Sequence, residues 1–494
     1  MHKSSLIRQT GIRLGAMTIT KSMGLIGRVV LTRIIGAEGI GLFQIAYAYF
    51  GFALMLITNG FPTALAIYTA GKKNMGWVWF KKLSIWVLSG GLITAIVTLG
   101  FAEQISHYLG NPNSYYFIRA LAPALVIIPL LALFRGYLQG LEKYEAIAFS
   151  EVFEQLIRVT AMIALCLFFL PQGAIFAGGL SMFGTSLGGI AAFLTLLIFY
   201  IRHTASSTYK EVLPVATKWD MSWFVRSSSA IFLTRLLIPF SDMADALIIP
   251  ARLQSVGYSP HEATALFGML TGMALLIAYM PTIMTAALSH TITMKLASAW
   301  KEQQGSIFQK YSLKAVRYAW SWGIVSTLFL LVFGEELALI IFNSAEPGYL
   351  IKGLSLIPLL VGVREITTSI LWAKEQKKTT FIATAIGIVF AICCHYFLIP
   401  FPYIQLYGAV LGILVMELIV LGANVFALRM LLRPIQIGRI TAYTLFFTLS
   451  GIPIGYLIRA GSLSFLPGDL GGLLGMAVYG GFLLLVHIWM SQRL

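Results

Sequence analysis

Charge is what this sequence lacks most. Asp, Glu, Lys and Arg make up 11% of 494 residues, against roughly 25% in an ordinary soluble domain. A soluble chain of this length would divide into about three domains, and so few polar side chains cannot wrap three cores. A soluble enzyme and a disordered chain are excluded on that ground. Cysteine is nearly missing too: Cys166, Cys393 and Cys394 all sit in apolar runs. With no Cys-x-x-Cys pair and no Cys/His cluster, neither a disulfide framework nor a metal site is supported. No phosphate-binding Gly-x4-Gly-Lys-Ser/Thr run occurs, so ATP is not the expected energy source. No small-residue cleavage site follows a short apolar stretch at the N-terminus, so the first hydrophobic segment is expected to be retained.

What fills the space is apolar: 58% hydrophobic residues, with a mean hydropathy of +0.84. A transmembrane helix needs about 20 mostly apolar residues. Fourteen segments qualify: 12–35, 40–69, 82–102, 116–138, 146–170, 173–201, 222–250, 263–290, 313–333, 350–373, 379–399, 404–428, 440–459 and 470–490. Only 202–221 and 291–312 read as loops of any size, and the second is charged enough to lie as a surface helix. The expectation is an all-α polytopic membrane protein.

Acids are scarce relative to bases: 19 against 35, a formal net charge of +16. In a soluble protein that excess would raise nucleic acid as a partner. In a membrane protein it reflects Lys and Arg gathered in cytoplasmic loops, so no nucleic-acid partner is expected. Alternate loops carry 24 and 4 basic residues, the smaller set being Arg119, Arg252, Lys352 and Arg459. Both termini are therefore expected in the cytoplasm, beside an anionic inner leaflet, which requires an even number of spans.

The chain repeats itself. Phe101-Ala-Glu103 precedes Asn111 as Phe333-Gly-Glu335 precedes Asn343. Arg33 precedes Pro62 by 29 residues, and Arg252 precedes Pro281 by 29. Gly140-Leu-Glu-Lys143 opens the fifth helix and Lys374-Glu-Gln-Lys377 the eleventh. Copies of one orientation each need an even number of spans. That gives two six-helix lobes, 1–204 and 205–433, and an added helix pair, 434–494. Parallel repeats of this kind are a transporter design, with the substrate path between the lobes.

Ionised side chains at membrane depth cost at least about 2.5–3.5 kcal/mol on insertion scales, so each needs a partner or a wet cavity. The first helix carries Lys21, Arg28 and Arg33; the seventh carries Arg235, Asp242 and Asp245. Lys21 and Arg28 are seven residues apart, as are Arg235 and Asp242, which puts each pair on one helix face. Arg33 and Arg252 lie near the outer ends, where long side chains reach the interface. Arg28 and Arg235 are deeper. They either line a cavity or pair with Asp242 or Asp245. Clustered guanidinium forks suit phosphate oxygens, so a pyrophosphate headgroup is a natural ligand, with Lys21, Arg28 and Arg235 as candidates to hold it and Asp242 and Asp245 as candidate balance or coupling groups.

Glu154 and Arg158 are expected to pair locally, with Glu151 one turn away. Adjacent Arg364 and Glu365 point apart and need separate partners, while Glu417 stands alone as a proton-site candidate. Glu335, Glu336 and Glu346 read as singly exposed acids. Pro62 and Pro281 fall mid-span at repeat-equivalent positions and are the hinge candidates, because proline bends a helix and frees a carbonyl.

Four stretches carry a family resemblance. They are Gly27-Arg28-Val-Val-Leu-Thr-Arg33 through Gly41-Leu-Phe; Phe134-Arg135-Gly136-Tyr137-Leu138-Gln139-Gly140; Glu154-Gln155-Leu-Ile-Arg158; and Asp245-Ala-Leu-Ile-Ile-Pro250 through Gly272-Met. The chain resembles the stage V sporulation protein B-like polysaccharide transporters of the multidrug/oligosaccharidyl-lipid/polysaccharide exporter superfamily. The resemblance implies fourteen helices in two lobes around a central cavity. It implies flipping of an undecaprenyl-pyrophosphate-linked oligosaccharide or peptidoglycan precursor to the outer leaflet by alternating access, in envelope or spore-cortex assembly of a Gram-positive, spore-forming cell. Related flippases place cavity arginines in the first helix; Lys21 matches the first such position, and Arg28 falls one residue from the next. Asp245 matches an acidic position of the seventh. The implied location is the plasma membrane, and envelope-synthesis enzymes are compatible partners. No cofactor is expected, and a sodium ion, a proton or the membrane potential would drive the cycle. The alternatives are a cation-coupled multidrug exporter of the same superfamily and a flippase for an exopolysaccharide or teichuronic-type repeat. A membrane glycosyltransferase is disfavoured by short outer loops.

Overall fold

The computed structural model describes residues 2–204, 218–432, 437–466 and 469–493, and among them there is no β-strand. Two compact units emerge, Met1–Ala251 with Ser259–Ala265, and Arg252–Tyr258 with Leu266–Leu494.

The first unit begins with α1 (His2–Thr58), α2 (Phe61–Gly71), α3 (Lys73–Gly100), α4 (Ala102–Tyr108), α5 (Ser114–Leu121) and α6 (Ala124–Gly140). It continues with α7 (Tyr144–Phe169), α8 (Ala174–Ser181), α9 (Phe183–Thr204) and most of α10 (Lys218–Gln254). Small residues let these helices approach closely, as membrane helices require. A side chain on Gly27 would bring a Cβ to 2.7 Å from Val159, so α1 lies flush on α7. Gly188 of α9 meets the Glu154 carbonyl of α7 in the same way, at 2.7 Å. Asn111, the residue that closes the first repeat motif, is fully buried. Its amide donates to Thr264 Oγ1 at 2.9 Å.

The second unit holds the end of α11 (Pro260–Gly268), a π-helical segment (Met269–Ala274), α12 (Leu275–Tyr279), α13 (Thr282–Lys301) and α14 (Gly305–Phe342). Then come α15 (Gly348–Gly353), α16 (Ile357–Ala373), α17 (Lys377–Leu398), α18 (Leu406–Ala427), α19 (Arg429–Leu432), α20 (Ile437–Phe465) and α21 (Asp469–Arg493). The last two pack on α14 through Val325, Leu328, Phe333, Tyr479 and Leu483.

Each of the fourteen expected segments coincides with helix. Among the described residues, ten helices, or eleven with the bent pair α5–α6, are long and apolar enough to cross a membrane. Three features separate that tally from fourteen. Gly36, at φ 72° and ψ −171°, divides α1 where the sequence reading ended one span and began the next. Serines and charges hold down the hydropathy of α10, and α16 has only 17 residues. The stretch 291–312, read as a loop able to lie as a helix, is helical apart from Glu302–Gln304: it forms the ends of α13 and α14, with Gln303 at φ 56° between them. Its charges decorate helix ends. The other expected loop, 202–221, lies mostly outside the described residues.

The repeat is written in the backbone. Phe101 (φ −113°, ψ 19°) and Phe333 (φ −108°, ψ 19°) interrupt their helices with the same dihedrals. Glu142 (φ 60°) and Glu375 (φ 62°) turn the chain left-handed at matching helix ends. Both turns are closed by the same bond, Lys143 N–H to the Leu138 carbonyl and Gln376 N–H to the Leu371 carbonyl. Helices α6 and α16 are each 17 residues long. These matches align Glu142 with Glu375, one residue away from the register in which Gly140 faces Lys374. Pro62 follows a break at Asn59 (φ 41°) and Gly60 (φ 76°), and Pro281 caps α13 after the break at Met280.

Candidate functional site

The first unit gathers its half-buried charges around α7. Glu154 takes Arg135 of α6 at 2.8 Å and Arg158, one turn along α7, at 3.5 Å. Ser150 accepts from both Nε and an Nη of Arg135, at 3.1 and 3.0 Å. Arg158 also donates to Gln155, the buried residue against which Gly24 of α1 packs. Arg28 is half-buried on the neighbouring face of α1, within electrostatic reach of Arg158 and of the Tyr47 hydroxyl. Tyr47 in turn bonds Thr185 at 2.6 Å. Two guanidinium groups thus share one carboxylate with a third, Arg28, close to one of them, and Glu151 forms no ion pair among the described residues. In a low-dielectric setting that excess of positive charge attracts an anion strongly.

The expected local pair Glu154–Arg158 is present, but Arg135 makes the shorter contact. Sequence spacing could not reveal it, since 19 residues and a helix reversal separate Arg135 from Glu154. The visible signal was the charge itself, in the Phe134-Arg135-Gly136-Tyr137 stretch.

The other candidates fall as follows. Lys21 and Arg235 are exposed, as is Asp242, and Asp245 is half-buried. Asp242 and Asp245 lie close enough to repel each other. No hydrogen bond or ion pair joins Lys21, Arg28 and Arg235 among the described residues. Arg235 pairs with neither Asp242 nor Asp245 there. Arg252 stacks its guanidinium 4.2 Å from the centre of the Tyr396 ring and donates to the Tyr396 carbonyl at 3.0 Å, so more than interfacial reach fixes it.

The second unit corrects two readings. Glu417 is not isolated: it is 2% exposed and sits 2.6 Å from Arg364 in a close ion pair. The Tyr279 hydroxyl donates to it at 3.3 Å. Glu365 accepts from Thr285 at 3.1 Å. The adjacent residues Arg364 and Glu365 therefore hold the two sides of the Pro281 break, while Trp322 donates to the Pro281 carbonyl at 2.8 Å. Nor do Glu335 and Glu336 stand singly. Lys352 reaches Glu335 at 2.6 Å, and Arg459 of α20 binds Glu335 at 2.7 Å and also Glu336. That network fastens α15 and α20 to α14. No cluster of His, Cys, Asp and Glu fit for a metal occurs among the described residues.

A basic intramembrane network on a repeat-built helical fold narrows the family. Residues 6–258 match the family model described as polysaccharide biosynthesis protein. The chain belongs to that family. Stage V sporulation protein B of Bacillus subtilis (strain 168) is 25% identical over 422 residues, 84% of this chain and 81% of that one. Lipid II flippase MurJ of the same organism is 25% identical over 224 residues, 41% of this chain and 40% of its own. The solved structure of lipid II flippase MurJ in an inward closed conformation superposes with a TM-score of 0.71 at 15% identity, covering 97% of each chain. A multidrug resistance MATE family transporter of the MOP superfamily, inward-facing, gives 0.67 at 14% identity, covering 87% of this chain and 98% of that one. Those named by activity are flippases and a transporter. This polysaccharide biosynthesis family member is an all-α, multi-pass membrane protein with the fold of those transporters.

Proposed function

We propose that the chain is a flippase, not an enzyme, for a polyprenyl-pyrophosphate-linked glycan, lipid II-like or an oligosaccharide repeat unit, carried from the inner to the outer leaflet by alternating access. The observation that carries this reading is the surplus of positive charge at Arg28, Arg135 and Arg158, of which Glu154 pairs with the last two. A diphosphate supplies the missing negative charge and the oxygen geometry that Arg forks match. Lys21 and Arg235, exposed on their helices, are assigned to receiving the headgroup, with Asp242 and Asp245 as balance or coupling groups and Pro62 and Pro281 as hinges. The cycle draws on the membrane potential, a proton or a sodium ion. The plasma membrane is the assigned location, with both termini cytoplasmic and the 24-to-4 loop bias as support. Fourteen spans and lobes at 1–204, 205–433 and 434–494 complete the proposal.

The rival is export of cationic drugs, favoured by the likeness to the MATE transporter fold. The same surplus of positive charge opposes it, since a cation would meet like charge. Binding of undecaprenyl diphosphate to the purified protein, followed by native mass spectrometry, separates the two. We expect binding that falls at least tenfold in Arg28→Ala and in Arg158→Ala, with no binding of a cationic dye. Equal binding by wild type and both variants, or saturable dye binding, would overturn the assignment.

A further inference from the structure

Unit one carries a second feature that the flippase reading does not use. A groove of about 420 Å³ is lined by Leu56, Ile57 and Phe61, by Leu83, Trp86 and Gly90 of α3, and by Met221 and Val225 of α10. Its polar contributors are Asn59 and Thr94, and Thr94 already donates to the Gly90 carbonyl. The positions Leu83, Trp86, Gly90 and Thr94 form one face of α3. Eleven residues at 1.5 Å each make this face ~16 Å long, close to half of the ~30 Å hydrocarbon thickness of a bilayer. The groove therefore has the depth of one leaflet.

One end of that face is strongly basic. Leu83 follows Lys81 and Lys82. Lys82 Nζ lies 4.9 Å from the Trp79 ring centre, and Lys72 Nζ lies 5.3 Å from that of Tyr68. Both rings pack on Phe224, at 4.5 and 4.8 Å, and Phe224 directly precedes Val225 of the groove wall. Lys81 lies 5.6 Å over Trp77. All four lysines, Lys72, Lys73, Lys81 and Lys82, are exposed, and so is Arg226. From residue 39 to residue 102 there is no Asp or Glu at all. The aromatic rings face the ammonium groups of Lys72, Lys81 and Lys82, and these exposed side chains carry positive charge at this end of α3.

We propose that this groove is a site for an anionic glycerophospholipid, one acyl chain lying along Leu83–Thr94 and the phosphate held by Lys72, Lys81 and Lys82. Charge complementarity selects the occupant. An apolar groove alone would accept any acyl chain, and the lysine rim restricts it to a lipid with net negative charge. The site lies apart from the Arg28 network and involves none of its residues.

The test is native mass spectrometry of the purified full-length protein titrated with phosphatidylglycerol or phosphatidylcholine. Wild type is expected to bind phosphatidylglycerol at least tenfold more tightly. Lys72→Ala/Lys82→Ala should abolish that preference, and Lys72→Arg/Lys82→Arg should keep it. Gly90→Phe, whose ring would occupy the groove, should weaken phosphatidylglycerol binding without touching a charge. Thermal unfolding of each variant checks that the fold persists. Equal affinity for the two lipids in wild type, or an unchanged preference in both the alanine and Gly90→Phe variants, would overturn the proposal. So would loss of undecaprenyl diphosphate binding in Gly90→Phe with phosphatidylglycerol unaffected, because the occupant would then be the substrate tail.

Discussion

At the scale of single residues, buried charges decide what each position tolerates. Glu417 and Arg364 share a low-dielectric site, their side chains 3% and 26% exposed. Removing one member leaves the other unpaired, which costs about 3–5 kcal/mol, whereas replacing both with apolar residues is often neutral. Glu417→Ala is therefore expected to lower the unfolding temperature markedly, and Arg364→Met/Glu417→Leu to restore most of it. A double variant no more stable than the single one would remove the pair from the account. Glu154 works differently, since it serves two arginines at once. Glu154→Gln keeps the hydrogen bonds to Arg135 in part but strips the carboxylate that, among the described residues, contacts Arg135 and Arg158. We expect tighter anion binding and weaker folding, read by diphosphate titration and thermal unfolding on the same sample. Unchanged diphosphate affinity would contradict a role for this network in holding anions.

Among the helices and their breaks, geometry carries the argument for how the chain bends. Gly36 occupies a backbone region (φ 72°, ψ −171°) that only glycine enters at low cost. An added Cβ there meets nothing within 4 Å, so Gly36→Ala isolates the backbone cost. Its expected loss is about 1–3 kcal/mol. Gly100→Ala, equally open but helical, should be neutral or slightly stabilising. Equal stabilities for the two variants would contradict the assigned break. Pro62→Ala and Pro281→Ala should slow flipping several-fold without lowering the amount of inserted protein, and normal rates in both would remove the hinge assignment. Much at this scale was legible in sequence. Each apolar run coincided with helix, while short helices such as α4 and α19 fell outside the runs, and Pro62 and Pro281 marked two of the breaks. The breaks at Phe101 and Phe333 were hidden, because a phenylalanine gives no local reason to leave a helix; the repeat motif alone hinted at them. The helix expected at 291–312 is present, but as extensions of α13 and α14 rather than as a separate element, for a physical reason. Charged residues at 295, 301 and 310 look like a loop in hydropathy, yet Lys has good helix propensity and simply extends helices beyond the apolar run.

For the whole molecule, composition was decisive for class, and the family match agrees with what the motifs implied. Tertiary pairing was the part that sequence withheld. Arg135 with Glu154, Glu417 with Arg364 and Arg459 with Glu335 join residues 19, 53 and 124 positions apart, and no spacing rule links them. The last of these pairings shows α20 tied into the second unit by charge, so a chain cut before Ile437 should leave Glu335 to Lys352, strip Glu336 of Arg459 and express poorly. In the proposed mechanism the basic network around Arg28 carries a lipid-linked diphosphate across the membrane. The most direct measurement is outward exposure of lipid II in cells depleted of their own lipid II flippases and expressing this protein, read by a lipid II-cleaving toxin added outside. The account predicts cleavage with wild type and its loss in Arg28→Ala and Arg235→Ala at equal membrane levels. Cleavage at the wild-type rate in both variants, or none with wild-type protein present in the membrane, would contradict it.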